Sequence, residues 1–309
     1  MSSQITTAFV KQYGENVFHL SQQKGSRLAP HVRNETQKGK ARFFDRIGKT
    51  DPVKKTSRHS DTPLVESEHS RRMVTLVDYE WADLIDDQDK IRILISPESE
   101  YALAAAWSLG RAKDDELIAA ANGSAYSGED GTTAVVVPAS QKIGASSGSA
   151  ESKLNVRTLR FVQEVFGEND VDENEPRFIC VSQKQLTNML GETEVTSSDY
   201  NSVKALVQGE IDTFLGFKFI RSQQLVLRSG ALAYADDGSV GSGSRDANGH
   251  ERCFAWAQSG LLLSTGKDMQ SKISERGDKS YSTQVYACLS IGATRMEEEK
   301  VVEVLCDLG

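Results

Sequence analysis

The distribution of charge along the chain limits what it can fold into more than any single motif does. The first 72 residues carry 14 Lys+Arg against 7 Asp+Glu, whereas the rest of the chain carries 22 against 37. Only 10 of the 52 residues from 21 to 72 are apolar. Such a segment buries too little apolar area to offset its ordering entropy, so alone it should be mobile. The sequence therefore predicts a basic arm completed by another molecule, and the acidic body of a second copy is the obvious candidate.

Basic and aromatic residues of this portion are the candidate contacts between copies of the chain. They cluster around a small apolar group, ARFFDRI at 41–47, and in the segment that follows it. The candidates are Arg42, Phe43, Phe44, Arg46, Lys54, Lys55, Arg58, Arg71 and Arg72. Nucleic acid is the alternative partner for these cations. It is disfavoured because Phe43 and Phe44 are the only Phe, Tyr or Trp residues within 21–72 and because the acidic body repels phosphate.

Composition also indicates the compartment and the state of the cysteines. No run approaches the roughly 18 apolar residues that span a membrane, and the N-terminus has no apolar signal core. We therefore expect synthesis in a cytoplasm and no membrane partner. The four cysteines are far apart and each lies in an apolar stretch, which favours buried free thiols over a zinc site. They are Cys180, Cys253, Cys288 and Cys306.

Hydrophobic patterns predict an α+β protein. The longest helix is expected from 98 to 121, after a capping serine and proline at 96–97 and before an Asn-Gly stop at 122–123. Gly110 within it allows close packing or a bend. The basic segment 31–72 is punctuated by glycine and proline, which favours an extended hairpin or loop. Alternation of apolar and polar residues over 281–291 predicts a long strand.

Shorter elements complete this prediction. Strands are expected at 73–79, 134–137, 178–181, 217–221 and 301–306. An amphipathic helix is expected from about 153 to Gly167, a short helix from a capping box at 182–185 to Gly191, and another helix at 200–208. Glycine-rich loops are expected at 123–152 and 235–250.

No motif in the sequence predicts a catalytic, cofactor-binding or metal-binding residue. GASSG at 144–148 matches a serine nucleophile pattern, but it lies in a Ser/Gly run without the strand and helix that the motif needs. A hydrolase that uses Ser146 is the enzyme alternative. The phosphate-loop-like stretch at 260–267 is followed by Asp268 where a magnesium-binding hydroxyl is needed. The calcium-loop-like start at 170–174 lacks the glycine and the final carboxylate.

Six sequence segments, in this order and spacing, resemble those of tailed-bacteriophage major capsid proteins with the Hong Kong 97-like fold. They are SPESEY (96–101), LGRA (109–112) with Asp115, SDYN (198–201) with KALVQG (204–209), FLGF (214–217), ERGDKSY (275–281) and GATR (292–295). The similarity extends from about residue 30 to the end of the chain.

The resemblance implies a structural role for each segment of the chain. Residues 1–30 would be an N-terminal arm and 31–76 an extended loop that lies over a neighbouring subunit. Residues 77–152 would form a peripheral domain with a spine helix at 97–121, and 153–250 an axial domain. Residues 251–309 would return to the peripheral domain as strands.

The implied function is a structural one, without catalysis or cofactors. Such a major capsid protein assembles in the host cytoplasm into hexamers and pentamers of an icosahedral shell, which becomes the head of the virion. Its partners would be a separate scaffold or protease, a portal, decoration proteins and packaged double-stranded DNA held by non-specific proximity. An encapsulin-like bacterial compartment shell is the alternative of the same fold class.

Some members of this fold cross-link their shells by Lys–Asn isopeptide bonds. That chemistry needs a lysine on the extended loop, and Lys49, Lys54 and Lys55 are available. It also needs an asparagine on the neighbour's peripheral domain, yet 250–309 contains no asparagine. Asn122 and Asn155 are the remaining acceptors, so the sequence predicts a shell without these bonds.

Overall fold

A computed structural model of the chain describes residues 22–58, 61–62, 64–85, 98–144, 153–191, 213–227, 233–234, 240–241 and 251–307. The strands are β1 (Arg33–Thr36), β2 (Ala41–Ile47), β3 (His69–Thr75), β4 (Val77–Ile85), β5 (Ala125–Ser127), β6 (Thr133–Val135), β7 (Lys142–Ile143), β8 (Arg177–Val181), β9 (Thr213–Phe214), β10 (Phe217–Arg221), β11 (Ala233–Tyr234), β12 (Val240–Gly241), β13 (Glu251–Ala257), β14 (Leu261–Arg276), β15 (Ser282–Arg295) and β16 (Val301–Cys306). The helices are α1 (Glu98–Asn122), α2 (Val156–Glu168), α3 (Gln183–Leu190) and α4 (Gln224–Leu227), with 3₁₀ turns at Ala29–His31 and Ala139–Gln141. The predicted α+β class is confirmed.

The chain divides into two structural units. One comprises residues 1–26, 78–112 and 267–290. The other comprises 27–77, 113–266 and 291–309. Each unit is therefore assembled from three separate parts of the chain.

A six-stranded mixed sheet lies in the second unit, with the strand order β7-β16-β13-β8-β10-β9. Every residue of the central strand β13 is buried, and it pairs antiparallel with both β16 and β8. Helix α2 packs against β16 and β7 through its apolar face. The predicted strands at 178–181, 217–221 and 301–306 all lie in this sheet and are confirmed.

Helix α3 begins at its predicted signal, whereas α2 begins after an N-cap that the sequence analysis did not single out. The Asn155 side chain caps α2 by accepting the Thr158 N–H at 2.7 Å. Ser182 caps α3 by accepting the Gln185 N–H at 3.4 Å. The Gln185 amide does not close the capping box and instead donates to the buried Glu251 carboxylate at 3.1 Å. The helix expected at 200–208 and most of the 235–250 loop lie outside the described residues.

Within the basic segment, β2 and β3 form an antiparallel hairpin, from Ala41 opposite Thr75 to Ile47 opposite His69. The hairpin joins β5 and β6 in a four-stranded sheet of order β2-β3-β5-β6. The predicted hairpin is confirmed, but its strands are more firmly packed than the composition suggested. The reason is that Phe44 and Val74 are buried in one cluster with Leu262 and Met296.

A second four-stranded sheet has the order β1-β14-β15-β4. The predicted long strand is confirmed as β15, and Thr283, Val285, Ala287, Leu289 and Ile291 of its expected apolar face are all buried. The alternation is incomplete, because Ser282 and Cys288 are also buried and Tyr281 is exposed. The expected strand at 73–79 is interrupted, because the chain changes sheets between β3 and β4. Gly292 permits this crossing, since a Cβ there would overlap the carbonyl of Thr75.

Helix α1 spans Glu98–Asn122, as predicted to within one residue. The predicted close packing at Gly110 is also confirmed. A Cβ at Gly110 would lie 2.5 Å from the Cα of Gly25, so only glycine lets the N-terminal segment cross the helix there. Arg111 holds this segment by donating to the Gln22 side chain at 2.9 Å and to the Gln23 carbonyl at 3.2 Å.

A buried carboxylate on α1 fixes the N-terminal segment within the second unit. Asp114, which is fully buried, accepts the backbone N–H groups of Arg27 and Leu28 at 3.0 Å each. Hydrogen bonds from N–H groups to an ionised acceptor are stronger than those between neutral groups. The chain therefore leaves α1 at a fixed point before β1 begins.

Candidate intersubunit surface

The loop between β2 and β3 is the most exposed part of the described structure. Every described residue from 47 to 69 is exposed, and Leu64 reaches 93%. The predicted contact residues Lys54, Lys55 and Arg58 lie on this loop. Its charge is divided, since 49–58 carries four Lys/Arg against one Asp, and 59–68 carries only acidic charges. We call residues 48–68 the exposed loop.

The base of this loop is fixed by a buried ion pair. The Arg72 side chain is fully buried and lies 2.5 Å from the Glu298 carboxylate. Arg46 approaches the same carboxylate at 3.5 Å, donates to the Ser70 hydroxyl at 3.2 Å and also donates to the Met296 carbonyl. Burial lowers the pKa of Arg72, and the charge of Glu298 opposes this shift. We call these groups the hairpin clamp.

The nine predicted contact residues therefore fall into three groups. Phe44 and Arg72 are buried within their own chain, and Arg46 belongs to the clamp. Arg42 stacks on the Phe44 ring at 4.5 Å, and Arg71 pairs with Asp45 at 2.7 Å on the surface. The remaining residues with outward-facing side chains are Phe43, Lys54, Lys55 and Arg58.

Two buried arginines, which the sequence analysis did not single out, hold the C-terminus of α1. Arg295 donates to the carbonyls of Ala121 at 3.0 Å and Val135 at 2.9 Å, and also to that of Gly123. Burial lowers the pKa of Arg295 to about 10, so it remains charged at neutral pH. Arg252 donates to the Asn122 carbonyl at 2.8 Å and pairs with Glu303. The last carbonyls of a helix carry partial negative charge, which these cations compensate.

Ser146 lies outside the described residues, and the phosphate-loop-like stretch 260–267 contains the buried start of strand β14, from Leu261 to Ser264. Asp172 accepts the Asn174 N–H in an exposed turn, and Asp170 pairs with Lys49 at 3.1 Å. Burial raises the pKa of the Cys180 thiol. All four cysteines are buried, as predicted. Within the described ranges, no group of His, Cys, Asp or Glu side chains is arranged to hold a metal ion.

None of the helices in the described part of the chain is long and apolar enough to span a bilayer.

The long helix, the hairpin with its exposed loop and the mixed sheets match the Hong Kong 97-like fold of solved phage capsid structures. The capsid protein of cyanophage P-SCSP1u has a similar structure, with a TM-score of 0.72 and 14% identity over 99% of this chain and 95% of that one. That of cyanophage Pam1 gives 0.68 and 13%, covering 98% and 97%. The acid-stable capsid of Helicobacter pylori bacteriophage KHP30 gives 0.69 and 10%, covering 99% and 98%.

The chain belongs to the phage capsid protein family, whose model matches residues 5–308. No curated protein sequence matches it significantly. The predicted family is thereby confirmed, and the chain has a structural role in a phage capsid.

Proposed function

We propose that this chain is the major capsid protein of a tailed phage and forms the hexamers and pentamers of an icosahedral shell around the genome. The observation that carries the proposal is the exposed loop on its clamped base. Every described residue of this loop is exposed, so the loop buries little apolar area to offset its ordering entropy and is expected to be covered by another molecule.

The neighbouring subunit is the partner that fits this loop best. Its basic half, 49–58, would lie on acidic surface of the next copy, and Leu64 and Val65 would add apolar contact. Lys49 already pairs with Asp170 of its own chain at 3.1 Å, which supports acidic surface as the complement. Each exposed pair contributes little, about 0–1 kcal/mol, but many such contacts in a closed shell add up through multivalency.

The roles of the segments follow from this assignment. We assign 1–30 as an N-terminal arm, 31–76 as the extended loop, 77–152 as the peripheral domain, 153–250 as the axial domain and 251–309 as the returning strands of the peripheral domain. Assembly would take place in the host cytoplasm, with a separate scaffold or protease, a portal and decoration proteins. The packaged DNA would lie close to the inner wall without specific contacts.

Charge reversal on the exposed loop tests the proposal. Lys54→Glu, Lys55→Glu and Arg58→Glu together should raise the subunit concentration needed for assembly, measured by sedimentation of megadalton particles. The matched control replaces the same three residues with glutamine, which removes the cations without adding repulsion. The difference between the two variants should shrink at 1 M salt, where the Debye length is about 3 Å.

Two outcomes would contradict the proposal at different levels. Wild-type protein that remains monomeric, with or without phage partners, would overturn the capsid assignment. Reversed variants that assemble at the wild-type concentration would leave a capsid protein whose loop does not make the contact. Neither variant touches the hairpin clamp, so hydrogen exchange of β2 and β3 in unassembled subunits should match the wild type.

A further inference from the structure

Helix α2 carries its charges in the order that its own dipole disfavours. The exposed face has Arg157 and Arg160 near the N-terminus and Glu164 and Glu168 near the C-terminus. The first turn contains no acid and the last turn no base. A helix dipole favours the opposite arrangement, by typically 0.3–1 kcal/mol per charge. The present order therefore costs the isolated subunit stability, which suggests a role outside it.

The segregation continues beyond the helix on both sides. Residues 153–160 contain three Lys/Arg and no acid, whereas 161–175 contain six Asp/Glu and no base. Arg157, Phe161, Glu164 and Glu168 follow each other at spacings of four, three and four residues. Such spacing places them on one stripe of the helix, about 16 Å long at 1.5 Å per residue. We call these four residues and Arg160 the α2 stripe.

The stripe has few interactions within its own chain. Phe161 is 43% exposed at its centre, and Arg157 stacks on its ring at 5.5 Å. Neither glutamate nor either arginine of the stripe forms an ion pair with another described residue. Arg160 and Glu164 do not pair although they are four residues apart, in the less favourable order for such a pair.

Three cations lie close in sequence or space to the acidic end of the stripe, but each contacts a group other than Glu164 and Glu168. Lys49 pairs with Asp170, and Lys300 lies 3.7 Å from Glu175, so both contact acids beyond the helix. Arg177 is directed to the backbone, where it donates to the Val171 carbonyl at 3.0 Å. Glu164 and Glu168 therefore have no cation partner among the described residues and are available to an external cation.

We propose that the α2 stripe is a self-complementary contact surface, on which the basic end of one copy meets the acidic end of a second copy. A second copy of this chain offers both a basic and an acidic end at the spacing of the stripe. We therefore take a second copy as its partner. The exposed aromatic ring between the two charged ends has the arrangement of an interface centre with a polar rim. The inference rests on the proposed function, because it requires that copies assemble.

Three charge variants test the stripe. Arg157→Glu with Arg160→Glu makes it wholly acidic, and Glu164→Arg with Glu168→Arg makes it wholly basic. The third variant combines all four changes and restores complementarity in the reverse order. We expect each of the first two to raise the concentration required for assembly about tenfold, because like charges then meet. The combined variant should return to within about twofold of the wild type.

The stability of the unassembled subunit provides an independent measurement. The combined variant places acids at the positive end and bases at the negative end of the helix dipole, so the Tm of its unassembled subunit should rise by about 2 °C. A loss of assembly caused by misfolding would instead lower the Tm. An Arg157→Cys chain mixed with a Glu168→Cys chain should also form disulfide-linked dimers on oxidation, and the native cysteines are all buried.

The possible failures are distinguishable. Single-end variants that assemble like the wild type, or a combined variant no better than they are, would overturn the stripe and leave the capsid assignment intact. Absence of mixed dimers at concentrations where particles form would also overturn it. A wild type that never forms particles would overturn the proposed function, and the stripe with it.

Discussion

Removal of the Glu298 carboxylate should destabilise the second unit strongly. Glu298→Ala leaves Arg72 fully buried without its counter-charge, and two of its nitrogens already lack a hydrogen-bond partner among the described residues. Breaking a buried ion pair from one side costs about 3–5 kcal/mol. Because the Glu298 side chain is 12% exposed, water reaches the vacated position and the lower end applies. A cost of about 3 kcal/mol corresponds to a fall in Tm of about 10 °C for a unit of this size.

The measurement is thermal unfolding of unassembled subunits, with hydrogen exchange to locate the effect. Protection should be lost first in β2 and β3, whose connection to the β15–β16 turn depends on this carboxylate. Glu297→Ala is the matched control, because that side chain is 44% exposed and pairs with Lys300 at 3.3 Å. An exposed pair contributes less than about 1 kcal/mol, so the control should lower the Tm by at most a few degrees.

A double variant separates the buried charge from other effects of the substitution. Arg72→Met in the Glu298→Ala background removes the uncompensated cation and should recover part of the lost Tm. Equal Tm values for the Glu298 and Glu297 variants would refute the reasoning. So would a double variant that is less stable than Glu298→Ala alone.

Three further predictions concern other parts of the chain. Gly110→Ala should release the N-terminal segment from α1 and accelerate tryptic cleavage of that segment several-fold. Gly167→Ala is the control, because Gly167 has open space around it. Equal cleavage of the two variants would refute the close contact between Gly110 and the N-terminal segment. Arg295→Met should lower the free energy of unfolding in urea by about 2–4 kcal/mol, because four carbonyls lose a charged donor. A change below about 1 kcal/mol would show that water replaces it. Shells boiled in detergent should release monomers near 33.9 kDa, without Lys–Asn isopeptide bonds. The reason is that Asn122 is buried and the Asn155 side chain caps α2. A ladder of covalent multimers would contradict this prediction.

The elements that the sequence predicted well are those whose local pattern agrees with their burial. Helix α1 and the strands β10 and β16 were placed to within a residue because spacing and terminal signals are local properties. Strand β13 was missed because it is buried on both faces and shows no alternation. Its first residues, Glu251 and Arg252, look like surface residues in a sequence, yet Ser182, Gln185 and Glu303 compensate them in the fold.

The candidate surface was predicted correctly only where local composition decides whether a residue is exposed. The exposed cations at 54–58 follow from composition, because a stretch without apolar residues cannot be buried. Arg72 is an arginine like Arg58, but it is buried. Its charge is compensated by Glu298, which lies 226 residues away in the sequence. The α2 stripe was not singled out, although its charge order is visible in the sequence, because only the structure shows that no other described element compensates it.

The pairing of β1 with β14 has a consequence for the timing of folding. The side chains of Gln37 and Ser264 meet 227 residues apart in sequence, next to a parallel strand pair that starts with Arg33 opposite Leu262. At about 5–20 residues per second, a ribosome needs roughly 10–50 s to make the intervening chain. Contacts at such long range also slow folding itself. Strand β1 therefore has no partner strand until residues 262–265 have been synthesised, so no nascent chain completes this sheet before most of its length has been made.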